Sequence, residues 1–109
     1  PTEREIREID PDYRLLERLN SRGLIATAPG VEVDFVSRFF APQVGIDEDP
    51  VTGSAHTTLT PFWSERLGKK DLDAQQLSSR GGRLHCKLLS DRVLIGGKTA
   101  RYLSGFLNI

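Results

Sequence analysis

The chain has no methionine and only one cysteine, Cys86, in 109 residues. A lone cysteine excludes an internal disulfide, and no Cys/His spacing suits zinc, so a reducing cytoplasm fits best. No apolar run approaches the ~20 residues of a membrane span, and no signal-peptide pattern stands at the start. Charge of one sign is lacking too, because fifteen basic residues balance fifteen acidic ones. That balance provides no global field toward nucleic acid or an anionic membrane, and Lys69-Lys70 is too short to form a basic patch. Free of methionine and opening on Pro1, the sequence reads as a piece of a longer chain.

What is present, 38% apolar and 28% charged residues, describes one soluble globular domain with a single core. Asp10 as N-cap with Pro11 at the first helical position predicts a helix running to Asn20, its stripe formed by Tyr13, Leu16 and Leu19. Leu24 to Ala28 reads as a short strand. Val33 to Ala41 carries apolar groups on both faces, the pattern of a strand in a covered sheet. Ala55, Leu59, Phe62, Trp63 and Leu67 recur at helical spacing and Gly68 ends the run, while Pro61 inside it predicts a kink or a shifted start. Strands follow at Leu72 to Ser79, Arg83 to Leu89, Arg92 to Ile95 and Thr99 to Leu107, with Ser90-Asp91 as a tight link and Leu84, Cys86 and Leu88 on one face. The element mix is α+β.

The densest chemistry lies in Gly45 to His56. Asp47, Glu48 and Asp49 precede a Pro50 turn that opens into the helix. Either repulsion among the carboxylates and burial beside Phe39, Phe40 or Trp63 raise the pKa of one of them toward proton exchange, or the run is a solvated turn complementing the helix dipole. For Thr52-Gly53-Ser54-Ala55 two readings also stand. The Gly53, Ser54 and Ala55 N–H groups, with the Thr52 or Ser54 hydroxyl, can hold a substrate carboxylate; or Thr52 or Ser54 simply caps its own helix. His56, near the positive helix end and so held neutral, either contributes a hydrogen bond to a ligand or is a satisfied, partly buried histidine. His85, between Arg83 and Lys87, reads as surface, and Cys86 as a core thiol. Gly96-Gly97-Lys98-Thr99 lacks the leading glycine and the helix of a phosphate loop and reads as a turn. Arg80-Gly81-Gly82-Arg83 reads as a polar loop rather than an anion nest.

The block Asp34-Phe35-Val36-Ser37-Arg38-Phe39-Phe40-Ala41-Pro42, with Gly45-Ile46 and Glu48-Asp49-Pro50-Val51-Thr52-Gly53-Ser54-Ala55-His56, resembles the phenazine-biosynthesis PhzF-like isomerase family. Gln76-Leu77-Ser78, Arg80-Gly81-Gly82 and Val93 to Gly97 continue the likeness. It covers nearly all of the chain but only the second half of the family's two-half fold, which is that of diaminopimelate epimerase. The resemblance implies a curved, mostly antiparallel sheet around a central helix from Ser54 to Leu67, with Phe62 and Trp63 filling the concave side, to which the helix read from Asp10 to Asn20 adds one more near the N-terminus. It also implies an active site in the cleft between the halves. There Asp49 handles protons, and Gly53 and Ser54 help hold the carboxylate of a small acidic substrate, the same positions that the reading of the residues picks out together with Thr52, Ala55 and His56.

The family's catalytic glutamate and a cleft histidine belong to the first half and have no counterpart here. The activity so implied is cofactor-independent proton transfer on a small carboxylic or amino acid by a cytoplasmic enzyme. The last strand, Tyr102 to Asn108, is expected to cross to the missing first half or to a second chain, as in a dimer or other homo-oligomer. The alternative is a non-catalytic half-domain that binds an acidic ligand or self-associates.

Overall fold

The computed structural model describes residues 1–109 as a mixed sheet with helices on both faces. Two short helices come first, α1 (Glu3–Arg7) and α2 (Tyr13–Glu17). Strands β1 (Leu24–Pro29), β2 (Phe35–Ala41) and β3 (Ile46–Glu48) follow, with a 3₁₀ turn over Pro42–Val44 between the last two. The long helix α3 (Gly53–Leu67) leads into β4 (Asp71–Gln76), β5 (Gly82–Leu88) and β6 (Val93–Gly96).

The strand order is β1-β2-β4-β5-β6. All pairs are antiparallel except β2 with β4, which run parallel because α3 makes the crossover between them. Since β1 occupies one edge of β2 along its length, β3 and β4 must share the other edge. β4 takes Phe35 to Ser37 and β3 takes Phe40 and Ala41, so the C-terminal ends of β3 and β4 meet there. That junction positions the site described below.

β2 is buried on both sides, as its sequence requires. Phe35 faces α3 and stacks on Trp63 at 5.9 Å, in a core with Leu59, Leu72, Leu84 and Cys86. Val36 faces the other way, onto Ile6 of α1, Ala28 and Leu77. Arg38 lies on that second face as well. Its guanidinium pairs with both oxygens of Glu48 (2.7 and 2.9 Å) and donates to the carbonyls of Ile6, Arg7 and Ile9, closing the C-terminal end of α1. The Trp63 indole N–H donates to Thr27 Oγ1 (2.9 Å), tying α3 to β1.

Several sequence expectations are corrected. The helix expected from Asp10 to Asn20 is one short turn capped by Asp12, whose carboxylate accepts from the Leu15 N–H. Pro11 stands before that cap rather than inside the helix. A second helix, α1, precedes it, held by a reciprocal Thr2–Glu5 capping box. In α3 the buried stripe is Ala55, His56, Leu59, Thr60, Trp63 and Ser64, which leaves Phe62 at its margin. Phe62 is therefore exposed rather than part of the core filling, and the Arg66 guanidinium covers its ring at 3.6 Å.

Helix α3 runs through Pro61 as one element. The carbonyl of Thr57, deprived of its helical donor, lies on the exposed side where water can serve it. The strand expected at Thr99 to Leu107 is absent, and residues 97–109 have no regular structure. Tyr102, Leu103, Phe106 and Leu107 are fully or nearly fully exposed. Strand-like alternation alone cannot form a strand without a neighbour to bond its backbone. No helix is long and apolar enough to cross a membrane.

Candidate functional site

Residues 49–52 span the junction where β3 and β4 converge on β2. The Asp49 N–H donates to the Phe39 carbonyl at 3.0 Å, continuing the β2 edge beyond β3. Ser78, just past β4, donates its hydroxyl to the Pro50 carbonyl at 2.7 Å. Gln76 anchors the rest. Fully buried, it accepts the Thr52 N–H on Oε1 (2.7 Å) and donates Nε2 to the Asp49 carbonyl (2.6 Å) and to Thr52 Oγ1 (3.0 Å). One amide side chain thus holds both ends of the turn. Gly82 of β5 completes the packing, because a Cβ there would collide with Val51.

The amide donors of Gln76 fix the Thr52 hydroxyl as an acceptor on that side, so its proton goes to Asp49 Oδ2 at 2.7 Å. In consequence Thr52, though at the N-cap position, makes no side-chain bond to the first turn of α3. The N–H groups of Gly53, Ser54 and Ala55 are left for another partner. Beside this first turn lies a hollow of about 380 Å³ whose lining includes Asp49, Thr52, Ser54 and Ala55, together with Phe39, Ile25 and Arg22. Ser54 is exposed at the helix mouth. A Cβ at Gly53 would meet nothing within 4 Å, and its φ is not positive, so the fold of this chain does not itself demand glycine there.

The three neighbouring carboxylates separate in space. Asp47 is exposed on β3, Glu48 faces the opposite way into its pair with Arg38, and Asp49 alone lines the hollow. Strand alternation thus turns Glu48 away from Asp47 and Asp49, and of these two only Asp49 reaches the hollow.

His56 sits behind the mouth rather than on the hollow's wall. Its ring is wholly buried against Phe35, and Nδ1 donates to the Thr52 carbonyl at 2.7 Å. That bond fixes the tautomer and leaves Nε2 a bare acceptor with no partner. Burial holds its pKa below the ordinary histidine value, although the bond to Thr52 pulls upward. The helix end, invoked from the sequence, is not the leading cause. Cys86 is buried, and burial pushes its thiol pKa up. His85 is at the surface, its pKa raised by the hydrogen bond to Asp73 at 2.9 Å.

Gln76, Ser78 and Arg22 carry structural weight that the sequence reading did not assign. Gln76 had a legible signal, a polar residue at the inward position after Leu72 and Ala74 in a period-two strand. Arg22 had none.

Fold and hollow together define the class: an α+β unit whose crossover helix opens uncapped beside an acidic turn. The particular family follows from comparison. A family model described as phenazine biosynthesis-like protein (PhzC-PhzF) matches residues 1–105, and the chain belongs to that family. An uncharacterized isomerase of Pseudomonas aeruginosa is 52% identical over 108 residues, covering 99% of this chain and 41% of its own length. A phenazine biosynthesis-like domain-containing protein of Bos taurus is 56% identical over 93 residues, covering 79% of this chain and 32% of its own length.

Among solved structures, a PhzF family protein of Enterococcus faecalis superposes with a TM-score of 0.87 at 48% identity, covering 89% of this chain and 38% of that one. A PhzC/PhzF protein of Clostridium difficile gives 0.87 at 44%, covering 99% and 42%. The α+β fold expected from the resemblance is the one found. The chain spans about two fifths of the length of the Pseudomonas relative.

Proposed function

We propose that the complete protein is a cofactor-independent isomerase that moves a proton on a small carboxylic or amino acid. Its cleft lies between this unit and a first half that this chain does not contain. The Gly53, Ser54 and Ala55 N–H groups and the Ser54 hydroxyl hold the substrate carboxylate. Asp49 relays or balances charge beside it. A glutamate of the first half exchanges the proton at a nearby carbon, and two positioned groups suffice for that step.

The observation that carries this reading is the turned hydroxyl of Thr52. Bonded to Asp49 instead of to its own helix, it leaves the first turn of α3 uncapped onto the hollow that Asp49 lines. Glycine at position 53, without a steric need inside this chain, supports it. The isomerase name carried by the Pseudomonas relative agrees. As part of the same proposal, the exposed segment Tyr102 to Asn108 pairs with the sheet of the first half or of a second copy.

The test is deuterium uptake from D₂O into a panel of small amino and unsaturated carboxylic acids by the full-length protein. Exchange at a carbon near the carboxylate is expected, with most of the rate lost in Asp49→Asn and in Ser54→Ala. Near-normal rates in both variants would remove these residues from the mechanism.

A further inference from the structure

The hollow has an unequal charge distribution. Asp49 and the helix mouth lie on one side, and the one cation on its walls, Arg22, lies on the other. Their separation follows from the sheet. Arg22 precedes β1, whose Ile25 pairs with Phe39 of β2, and the Asp49 backbone bonds to the far edge of that same Phe39. Two strand spacings, roughly 10 Å, therefore lie between the Ile25 and Asp49 backbones, and Arg22, three residues before Ile25, stands farther off, beyond the start of β1. The floor between them is apolar, made by Phe39 and Ile25.

The turn presenting Arg22 is built rather than loose. Ser21 Oγ donates to the Gly23 carbonyl at 3.0 Å and accepts the Gly23 N–H at 3.4 Å. Gly23 is pressed flat against the Phe39 ring, where any Cβ would collide. Nothing neutralises Arg22 in place, since none of the arginine ion pairs of the chain includes it.

From this arrangement we infer that Arg22 is a specificity-determining residue that receives a second anionic group of the substrate, at the end remote from the helix mouth. The substrate class is then a diacid: one carboxylate on the Gly53–Ala55 amides, an apolar middle over Phe39 and Ile25, and a second acid group on the Arg22 guanidinium. The inference rests on the helix-mouth reading above. A guanidinium matches a carboxylate in a two-pronged geometry that an ammonium does not reproduce.

The experiment compares glutarate with butyrate, a diacid and a monoacid of similar length. Binding to the full-length protein is followed by amide chemical shifts at constant ionic strength, so that screening is equal in every arm. Both acids should move the Gly53, Ser54 and Ala55 resonances, with glutarate binding more tightly. Arg22→Gln should weaken glutarate about tenfold, the scale of one charge-assisted hydrogen bond, and leave butyrate unchanged. Arg22→Lys should fall between. Equal weakening of both acids, or of neither, would overturn the second-anion role while the helix-mouth reading stands. If neither acid moves the Gly53–Ala55 resonances in the wild type, the helix-mouth reading falls and this inference with it.

Discussion

Replacing Gln76 by leucine keeps the side chain's bulk and removes all of its hydrogen bonds. The Thr52 N–H loses its acceptor inside the protein, and the Asp49 carbonyl loses its donor in a partly buried position. A buried main-chain group left unpaired costs about 1–3 kcal/mol, so the two together amount to about 3 kcal/mol, the carbonyl being served in part by water. The loss is local, because the Gln76 side chain bonds only within the 49–52 turn. Hydrogen exchange at the Asp49 amide is the suitable assay, since its own bond to the Phe39 carbonyl is untouched by the substitution.

At 1.4 kcal/mol per factor of ten, exchange at Asp49 should quicken by about a hundredfold in the full-length Gln76→Leu protein, while amides in the β4–β5 ladder change far less. Gln76→Glu retains the acceptor for Thr52 but not the donor for Asp49, so its effect should lie between. A change at Asp49 of less than about threefold in a folded Gln76→Leu variant would refute the claim that this side chain holds the turn.

Two further outcomes follow from the same geometry. Glu48→Gln strips the Arg38 guanidinium of its charged partner, and unfolding in urea should show a loss of about 2–3 kcal/mol. That is less than for full burial because the two side chains are 11% and 17% exposed; a loss below about 0.5 kcal/mol would show that the carbonyls of Ile6, Arg7 and Ile9 suffice to hold Arg38. The second concerns pH. His56 has a depressed pKa in the fold, so the unfolded chain takes up a proton that the native state refuses. Its contribution is fully present above about pH 6.5 and is lost as pH falls from there toward the folded value. His85, raised by Asp73, acts in the other window, its contribution being present below about pH 6.5 and lost as pH rises through the folded value. Denaturation between pH 5 and 6.5 should therefore lose much of its pH dependence in His56→Phe and little in His85→Asn; an unaltered slope in His56→Phe would contradict the burial argument.

The legible parts of the sequence were those where one element satisfies its own pattern. Phe35, Val36 and Phe40 announce a strand covered on both faces, and Ala55, Leu59 and Trp63 announce a helix with one buried side. Both kinds of burial follow from the period of the chain. Where two nearby residues offer the same local chemistry, the sequence is degenerate. Asp10 and Asp12 are both good caps, and the choice of Asp12 depends on where Pro11 and the following turn can sit. The exposed tail fails for the opposite reason, since Tyr102 to Leu107 has strand-like residues but no strand of this chain pairs with it.

The candidate site divides in the same way. Asp49, Gly53 and Ser54 stand in one contiguous run, and the turn-to-helix transition beside an acidic residue can be read directly. What aims Asp49 cannot, because Gln76 comes 24 residues after Thr52 and reaches it only through the shared edge of β2. Arg22 joins the hollow by the β1–β2 register alone.

The central claim is that a substrate carboxylate docks on the first turn of α3, beside Asp49. A crystal structure of the complete protein with a small carboxylic acid soaked in tests it most directly. The account predicts an acid group about 2.7–3.2 Å from the Gly53, Ser54 and Ala55 nitrogens, with the Asp49 carboxylate facing the same space. Finding that mouth filled by a segment of the protein itself, with the acid bound elsewhere, would contradict it.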